Sequence, residues 1–293
     1  MVIVHPCMRL PVTKHILCDA YSASTNLDAT RVCHDLIPQP PKKPCSLSEM
    51  SKPLNILFLH GYTQSGPLFH AKTKALEKPL LKSLPPQSTL SYPTAPHLLK
   101  LSDLPGERAD DGGDSAQEHY AWWRKDEVTG EYLGLNETLE FLSHYLDTHG
   151  PFDGVVGFSQ GAALAAMLVS LLEATPGRNR PEAFTTSHPP MKFGACYSGF
   201  RAPVRYEFFY TPRIATPILH VLGSLDTAVD ESRSLELVEA CEGGEKRKVY
   251  HPGGHYLPAG RQYANVLIGF ILENTKDPQV RVPEDAEDSK MRL

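Results

Sequence analysis

The chain has 293 residues, 41% of them hydrophobic and 22% charged, with a formal net charge of −5. This composition supports one large folded core and carries no basic footprint for nucleic acid or an anionic membrane surface. No run approaches the ~20 apolar residues of a membrane-spanning helix.

The six cysteines, at 7, 18, 33, 45, 196 and 241, form no Cys-x-x-Cys pair and no Cys/His cluster with zinc spacing. Only Cys196 and Cys241 fall beyond residue 45, which suits a reducing compartment. No apolar h-region of about 7–15 residues opens the chain, and Asp19, Asp28 and Asp35 argue against a transit peptide. A cytoplasmic, or also nuclear, location is the expectation.

Residues 1–49 have scattered hydrophobic residues without a period and end in a linker-like Gln39-Pro40-Pro41-Lys42-Lys43-Pro44 stretch. Met50 stands directly before Ser51-Lys52-Pro53 and the first clear strand. Residues 1–49 are therefore expected to be a disordered extension or a mis-assigned start, with the folded domain over 50–273 and a charged mobile tail over 274–293.

Within that domain strands and helices alternate. Leu54 to Leu59 reads as a strand and Phe69 to Leu84 as a helix that Pro79 should kink or end. Ser88 to Tyr92 is a short strand, and 96–133 a long connection rich in Gly and Asp. Asn136 to His149 places Leu139, Leu142 and Leu146 at helical spacing. Phe152 to Gly157 is a buried strand, Gln160 to Glu173 a helix, and Thr175 to Pro190 a polar insertion. Strands at Lys192–Tyr197, Pro217–Leu222 and Lys246–Tyr250 follow, with helices from about Asp230 to Cys241 and from Leu257 to Glu273. This alternation predicts an α/β fold: a doubly wound, mostly parallel sheet with helices on both faces.

The segment Gly157-Phe158-Ser159-Gln160-Gly161 joins a predicted strand to a predicted helix. A serine on such a turn has a strained backbone and an exposed hydroxyl, and the flanking glycines leave room for the neighbouring elements. The Gln160 N–H stands at a helix start, where donors are unpaired and the dipole favours an anion.

A serine hydroxyl becomes nucleophilic through a histidine base that a carboxylate orients, and on this architecture the order is Ser, acid, His. Asp226 in Gly223-Ser224-Leu225-Asp226 leaves the end of a strand. Its competitor Asp230 precedes a helix and reads as an N-cap. His255 follows the last strand in His251-Pro252-Gly253-Gly254-His255, while His251 lies at the strand end. The plain alternatives are a turn aspartate and a packing histidine.

His60-Gly61-Tyr62 follows the first strand, in the loop that supplies a second oxyanion donor through its backbone. The donors are assigned as the Tyr62 and Gln160 N–H groups. The His60 side chain is read as ordering the loop by hydrogen bonding. Trp122 and Trp123, with Tyr120, either line an acyl pocket or pin the long connection to the core. Asp110 to Asp114 reads as an acidic turn, since its spacing matches no calcium loop. Tyr206 to Tyr210 is either pocket wall or packing.

Four segments resemble the fungal serine hydrolase (FSH) family of α/β-hydrolases. They are Ile56 to Gly66, Gly150 to Ala163, Gly223 to Asp226, and Gly253-Gly254-His255-Tyr256-Leu257-Pro258; Trp122-Trp123 before Gly130-Glu131-Tyr132 adds a fifth likeness. The likeness spans about residues 51–273. It implies hydrolysis of carboxylic esters or thioesters with Ser159, Asp226 and His255 as the triad and no cofactor or metal. A small-molecule ester or thioester is then the expected substrate, and the composition offers no footprint for a nucleic-acid or membrane partner. The likeness does not extend to residues 1–49. Acyl transfer, or ligand binding without catalysis on the same scaffold, are the competing functions.

Overall fold

The computed structural model describes residues 52–100, 103 and 118–276. The expected extension over 1–49, the acidic turn at 110–114 and all but the first three residues of the expected tail lie outside them. In chain order the elements are β1 (Asn55–Leu59), α1 (Gly66–Ser83), β2 (Thr89–Ser91), β3 (His97–Leu98), β4 (Tyr120–Ala121), β5 (Arg124–Lys125), β6 (Tyr132–Leu133) and α2 (Leu135–His149). Then come β7 (Gly154–Phe158), α3 (Gln160–Leu172), β8 (Phe193–Tyr197), β9 (Ile218–Gly223), α4 (Glu231–Glu239), β10 (Lys248–His251) and α5 (Arg261–Thr275). A short 3₁₀ turn covers Val204–Phe209.

Six strands form one sheet in the order β10-β9-β8-β7-β1-β2. Among the described residues every pairing in it is parallel. Both faces must then be covered, and α-helices in the crossovers do so, except between β8 and β9, where only a 3₁₀ turn intervenes. Alternate residues point to opposite faces. Leu57, Leu59 and Val155 pack into the core built with α2 and α3. Ile56, Phe58 and Val156 pack into the core built with α1 and α5. α3 is the central helix, and each of its residues from Gln160 to Leu172 is buried.

β1 sends its crossover to β2 on one side, and β7 pairs with β1 on the other through the register Leu59↔Gly157. That reversal is a topological switch point, where the loops leaving two adjacent strands diverge and open a crevice at their carboxyl ends. The loop after β1 carries Tyr62, and the turn after β7 carries Ser159.

The structure departs from the sequence reading in a few places. Pro79 does not end α1, which runs on to Ser83. Leu76 and Leu80 on either side of it are both buried, and that packing outweighs the ladder bond a proline removes. The last helix starts at Arg261 rather than Leu257 and reaches Thr275. The connection between 96 and 133 contains two small antiparallel pairs, β3 with β4 and β5 with β6. The insertion after α3 is tied down by Arg178, which pairs with Glu173 at 2.9 Å and donates to the Phe209 carbonyl at 2.8 Å. No helix among the described residues is long and apolar enough to cross a membrane.

Candidate active site

Ser159 sits between β7 and α3 with φ 53° and ψ −117°, outside the regions an L-residue adopts freely. Strain of this kind costs on the order of 1–3 kcal/mol and persists only where the surroundings over-determine it. Here they do. The Ser159 N–H donates to the Tyr197 carbonyl at 2.8 Å, which ties the turn to β8. A Cβ on Gly157 would lie 2.2 Å from the Gly161 carbonyl oxygen, and one on Gly161 would lie 2.2 Å from that of Leu59. Only glycine allows this strand–turn–helix to close so tightly.

The structure brings the three predicted side chains together. The Ser159 Oγ lies 2.9 Å from His255 Nε2, and His255 Nδ1 lies 2.8 Å from Asp226 Oδ2. A carboxylate only accepts, so Nδ1 carries the proton and Nε2 is free to accept from the serine hydroxyl. The His255 side chain is 24% exposed and that of Asp226 is 7% exposed. The Asp226 Oδ1 accepts from the Ala228 and Val229 N–H groups, each at 3.0 Å. Burial alone would raise the Asp226 carboxyl, but the His255 and Val229 donors hold it below its ordinary range. The Phe158 ring, 4.9 Å from the His255 ring, supports the imidazole.

Asp226 and His255 reach each other because β9 and β10 are neighbours. The loop after β9 and the loop after β10 bond backbone to backbone, Ser224 N–H to the His251 carbonyl and Leu225 N–H to the Gly253 carbonyl, both at 2.9 Å. The competing residues stand elsewhere. Asp230 occupies the N-cap of α4, although its side chain makes no capping bond. His251 ends β10 with a buried ring against Tyr256 and Tyr263.

The loop after β1 lies against the elbow. A Cβ on Gly61 would stand 3.4 Å from the Ser159 Cβ. Among the described residues the Tyr62 and Gln160 N–H groups donate to no protein acceptor. The His60 ring is fully buried, accepts the Ala95 N–H at Nε2 over 2.9 Å, and donates from Nδ1 to the Gly61 carbonyl over 2.8 Å. Burial pushes it down to about 4, so it is neutral and orders the loop, as the sequence suggested.

Trp122 and Trp123 are 0% and 2% exposed. Their indoles belong to the buried core cluster, packed as a side chain that pins the long connection would be. Trp123 stacks on Tyr132, and Tyr132 on Tyr206, at 4.7 and 4.6 Å between ring centroids. Tyr206, Phe209 and Tyr210 are likewise buried, so that cluster is packing. Reading the Trp pair for its rings misses its backbone, which bonds the Gln160 side chain. The available signal was a polar Gln160 opening a helix whose other residues, Ser170 apart, are apolar. No cluster of His, Cys, Asp and Glu able to hold a metal occurs among the described residues.

A parallel sheet with helices on both faces, and a serine elbow at its carboxyl edge, define an α/β-hydrolase. The same architecture is found in maize (Zea mays) acyl-protein thioesterase 2, with 20% identity over 76% of this chain and 94% of that one, at a TM-score of 0.52. Arabidopsis thaliana SOBER1 matches at 16% identity over 76% and 99% of the two chains, with a TM-score of 0.50. The model of the serine hydrolase (FSH1) family matches residues 50–267, and the chain belongs to that family. It is 35% identical to Family of serine hydrolases 2 of Saccharomyces cerevisiae, over 75% of this chain and 99% of that protein. It is 34% identical to zebrafish (Danio rerio) esterase OVCA2, over 75% and 96%. A Schizosaccharomyces pombe dihydrofolate reductase is 36% identical over 78% of this chain, which spans about half (49%) of that relative's length.

Proposed function

We propose that this chain hydrolyses carboxylic esters or thioesters of small molecules through an acyl-enzyme on Ser159. His255 Nε2 takes the hydroxyl proton as Oγ attacks the carbonyl carbon. The negative charge that develops on the carbonyl oxygen is met by the Tyr62 and Gln160 N–H groups, the latter at the positive end of α3. His255, now a cation stabilised by Asp226, returns the proton to the leaving alcohol or thiol. A water then attacks the acyl-serine through the same base, which frees the acid and restores the serine. Every bond made and broken lies among substrate, water, Ser159 and His255, so the cycle closes without a cofactor.

The observation that carries this reading is the continuous Ser159–His255–Asp226 hydrogen-bond chain at 2.9 and 2.8 Å on a backbone held at φ 53°. A scaffold kept only for binding has no need to maintain that chain or its strain. The similarity to esterase OVCA2 supports an ester as the bond broken. Transfer of the acyl group to an alcohol or amine shares every step up to the acyl-enzyme, and a panel of acceptors at high concentration separates it from hydrolysis. Cys196 and Cys241, both free and buried, suit a reducing cytoplasm.

A fluorophosphonate probe tests the assignment. Wild type is expected to be labelled and Ser159→Ala to be neither labelled nor active, with unchanged far-UV circular dichroism. Turnover by Ser159→Ala near the wild-type rate would overturn it.

A further inference from the structure

The Gln160 side chain has an arrangement that the cycle above does not use. Its Oε1 accepts the Trp122 backbone N–H at 2.9 Å, and its Nε2 donates to the Trp123 carbonyl at 2.8 Å. The amide thus grips the main chain of residues 122–123 at two points, just past the end of β4. The Trp122 indole N–H in turn donates to the His60 carbonyl at 2.8 Å, and its ring lies 4.9 Å from that of His60. His60 Nδ1–H holds the Gly61 carbonyl, which is the other end of the peptide unit carrying the Tyr62 N–H. The Gln64 N–H donates to the same carbonyl at 3.2 Å. The far side of Trp122 is anchored too, since its carbonyl accepts the buried Thr138 hydroxyl.

We infer that the Gln160 side chain and Trp122 form a bridge that sets the position of one oxyanion donor relative to the other. The two N–H groups come from loops after different strands, and no backbone hydrogen bond in this network joins Tyr62 to Gln160 directly. Each donor is weak unless it points where the oxyanion will form, because stabilisation falls steeply with misalignment. Residues 122–123 tie them together: one end grips the side chain of the residue whose own N–H is a donor, and the other grips the carbonyl two residues before Tyr62. Partners so buried are also strengthened by their low-dielectric surroundings. Gln160 therefore acts twice, through its main chain on the oxyanion and through its side chain as a positioning group. Trp122 is a positioning residue throughout.

The inference rests on the oxyanion assignment above, and the test keeps the two apart. Full-length Gln160→Met keeps the N–H and the side-chain length but loses both amide bonds. Trp122→Phe loses the indole N–H and keeps an aromatic ring. Each is assayed on a short-chain p-nitrophenyl ester, with rates counted per fluorophosphonate-labelled site so that unfolded protein does not contribute. A trifluoromethyl ketone, whose hemiketal places an oxyanion in the hole, is titrated alongside. Gln160→Met is expected to lose about 10- to 100-fold in kcat, with KM within about threefold and trifluoromethyl ketone affinity weakened by a similar factor. Trp122→Phe should move the same quantities in the same direction, and the double variant should lose less than the product of the two. An unchanged kcat, or a fallen kcat with unchanged ketone affinity, would overturn the bridge. If Ser159→Ala retains turnover, the proposed function falls; if Ser159→Ala is dead while Gln160→Met matches wild type, only the bridge falls.

Discussion

Asp226 and His255 stand 29 residues apart in the chain, and a single hydrogen bond of 2.8 Å joins them across the ends of two neighbouring strands. The carboxylate is fixed from behind by two backbone donors, Ala228 and Val229, and so faces the imidazole with its second oxygen. Asp226→Asn keeps this shape and changes the proton inventory. An amide nitrogen turned to Nδ1 donates, so the imidazole proton moves to Nε2, which then cannot accept from Ser159. A fall in kcat of about 10³–10⁴ is expected, with a change in Tm of only a few degrees, measured by steady-state kinetics and a thermal melt.

The elbow's glycines answer to space rather than to local propensity. Gly161→Ala would put a methyl 2.2 Å from the Leu59 oxygen and 2.4 Å from that of His60, both backbone atoms that cannot turn aside. A destabilisation of about 3 kcal/mol or more is expected by urea denaturation, as for other large steric insults. Gly269→Ala is the opposite case: it lies within α5, and an added methyl meets nothing within 4 Å. There the gain in helix propensity should stabilise by about 0.8–1 kcal/mol.

Burial lowers the pKa of four histidines, His60, His188, His220 and His251, and makes the fold acid-sensitive; the shifts of His60 and His220 are the large ones. Burial pushes His60 down to about 4, and burial with the Arg247 and Lys248 charges pushes His220 to about 3. Both native values lie below the unfolded ~6.5, so each contribution to stability is full above that pH and is lost as pH falls towards the native value. Between pH 6.5 and 5 the unfolded chain binds protons that the native chain refuses, at about 1.4 kcal/mol per unit for each group. Stability should thus drop by roughly 2 kcal/mol per histidine by pH 5, seen as a shift in the urea midpoint. His220→Gln should remove its own share, roughly 2 kcal/mol, of that drop.

Arg178 and Glu173 form an ion pair with side chains only 3% and 7% exposed. Glu173 also accepts the Thr216 N–H at 2.6 Å, and Arg178 donates to the Phe209 and Arg213 carbonyls. Glu173→Leu leaves the guanidinium buried without its counter-charge, and a loss of about 3–5 kcal/mol is expected from chemical denaturation. Arg178 with Glu173 both replaced by apolar residues should recover much of it.

The elbow, the candidates Ser159, Asp226 and His255 that the structure brings together, and the alternation of strands and helices were all legible from the amino-acid sequence. Each rests on short-range chemistry: glycines two residues either side of a serine, apolar runs of strand length, an aspartate and a histidine just past such runs. His60 could be read as a loop-ordering group for the same reason, since it adjoins the turn it holds. Contacts between residues far apart in sequence decided the rest. Pro79 stays inside a helix because Leu76 and Leu80 are drawn beneath the sheet. Trp122 and Trp123 pack in the core, and residue 160, 38 and 37 positions away, bonds their backbone through its side-chain amide. The sequence alone determined which groups are candidates for the proposed chemistry, because residue type and local spacing suffice for that. Only the tertiary structure decided how those groups are aimed, because aim depends on the pairing of β1 with β7 and on side chains that meet across the sheet's carboxyl edge.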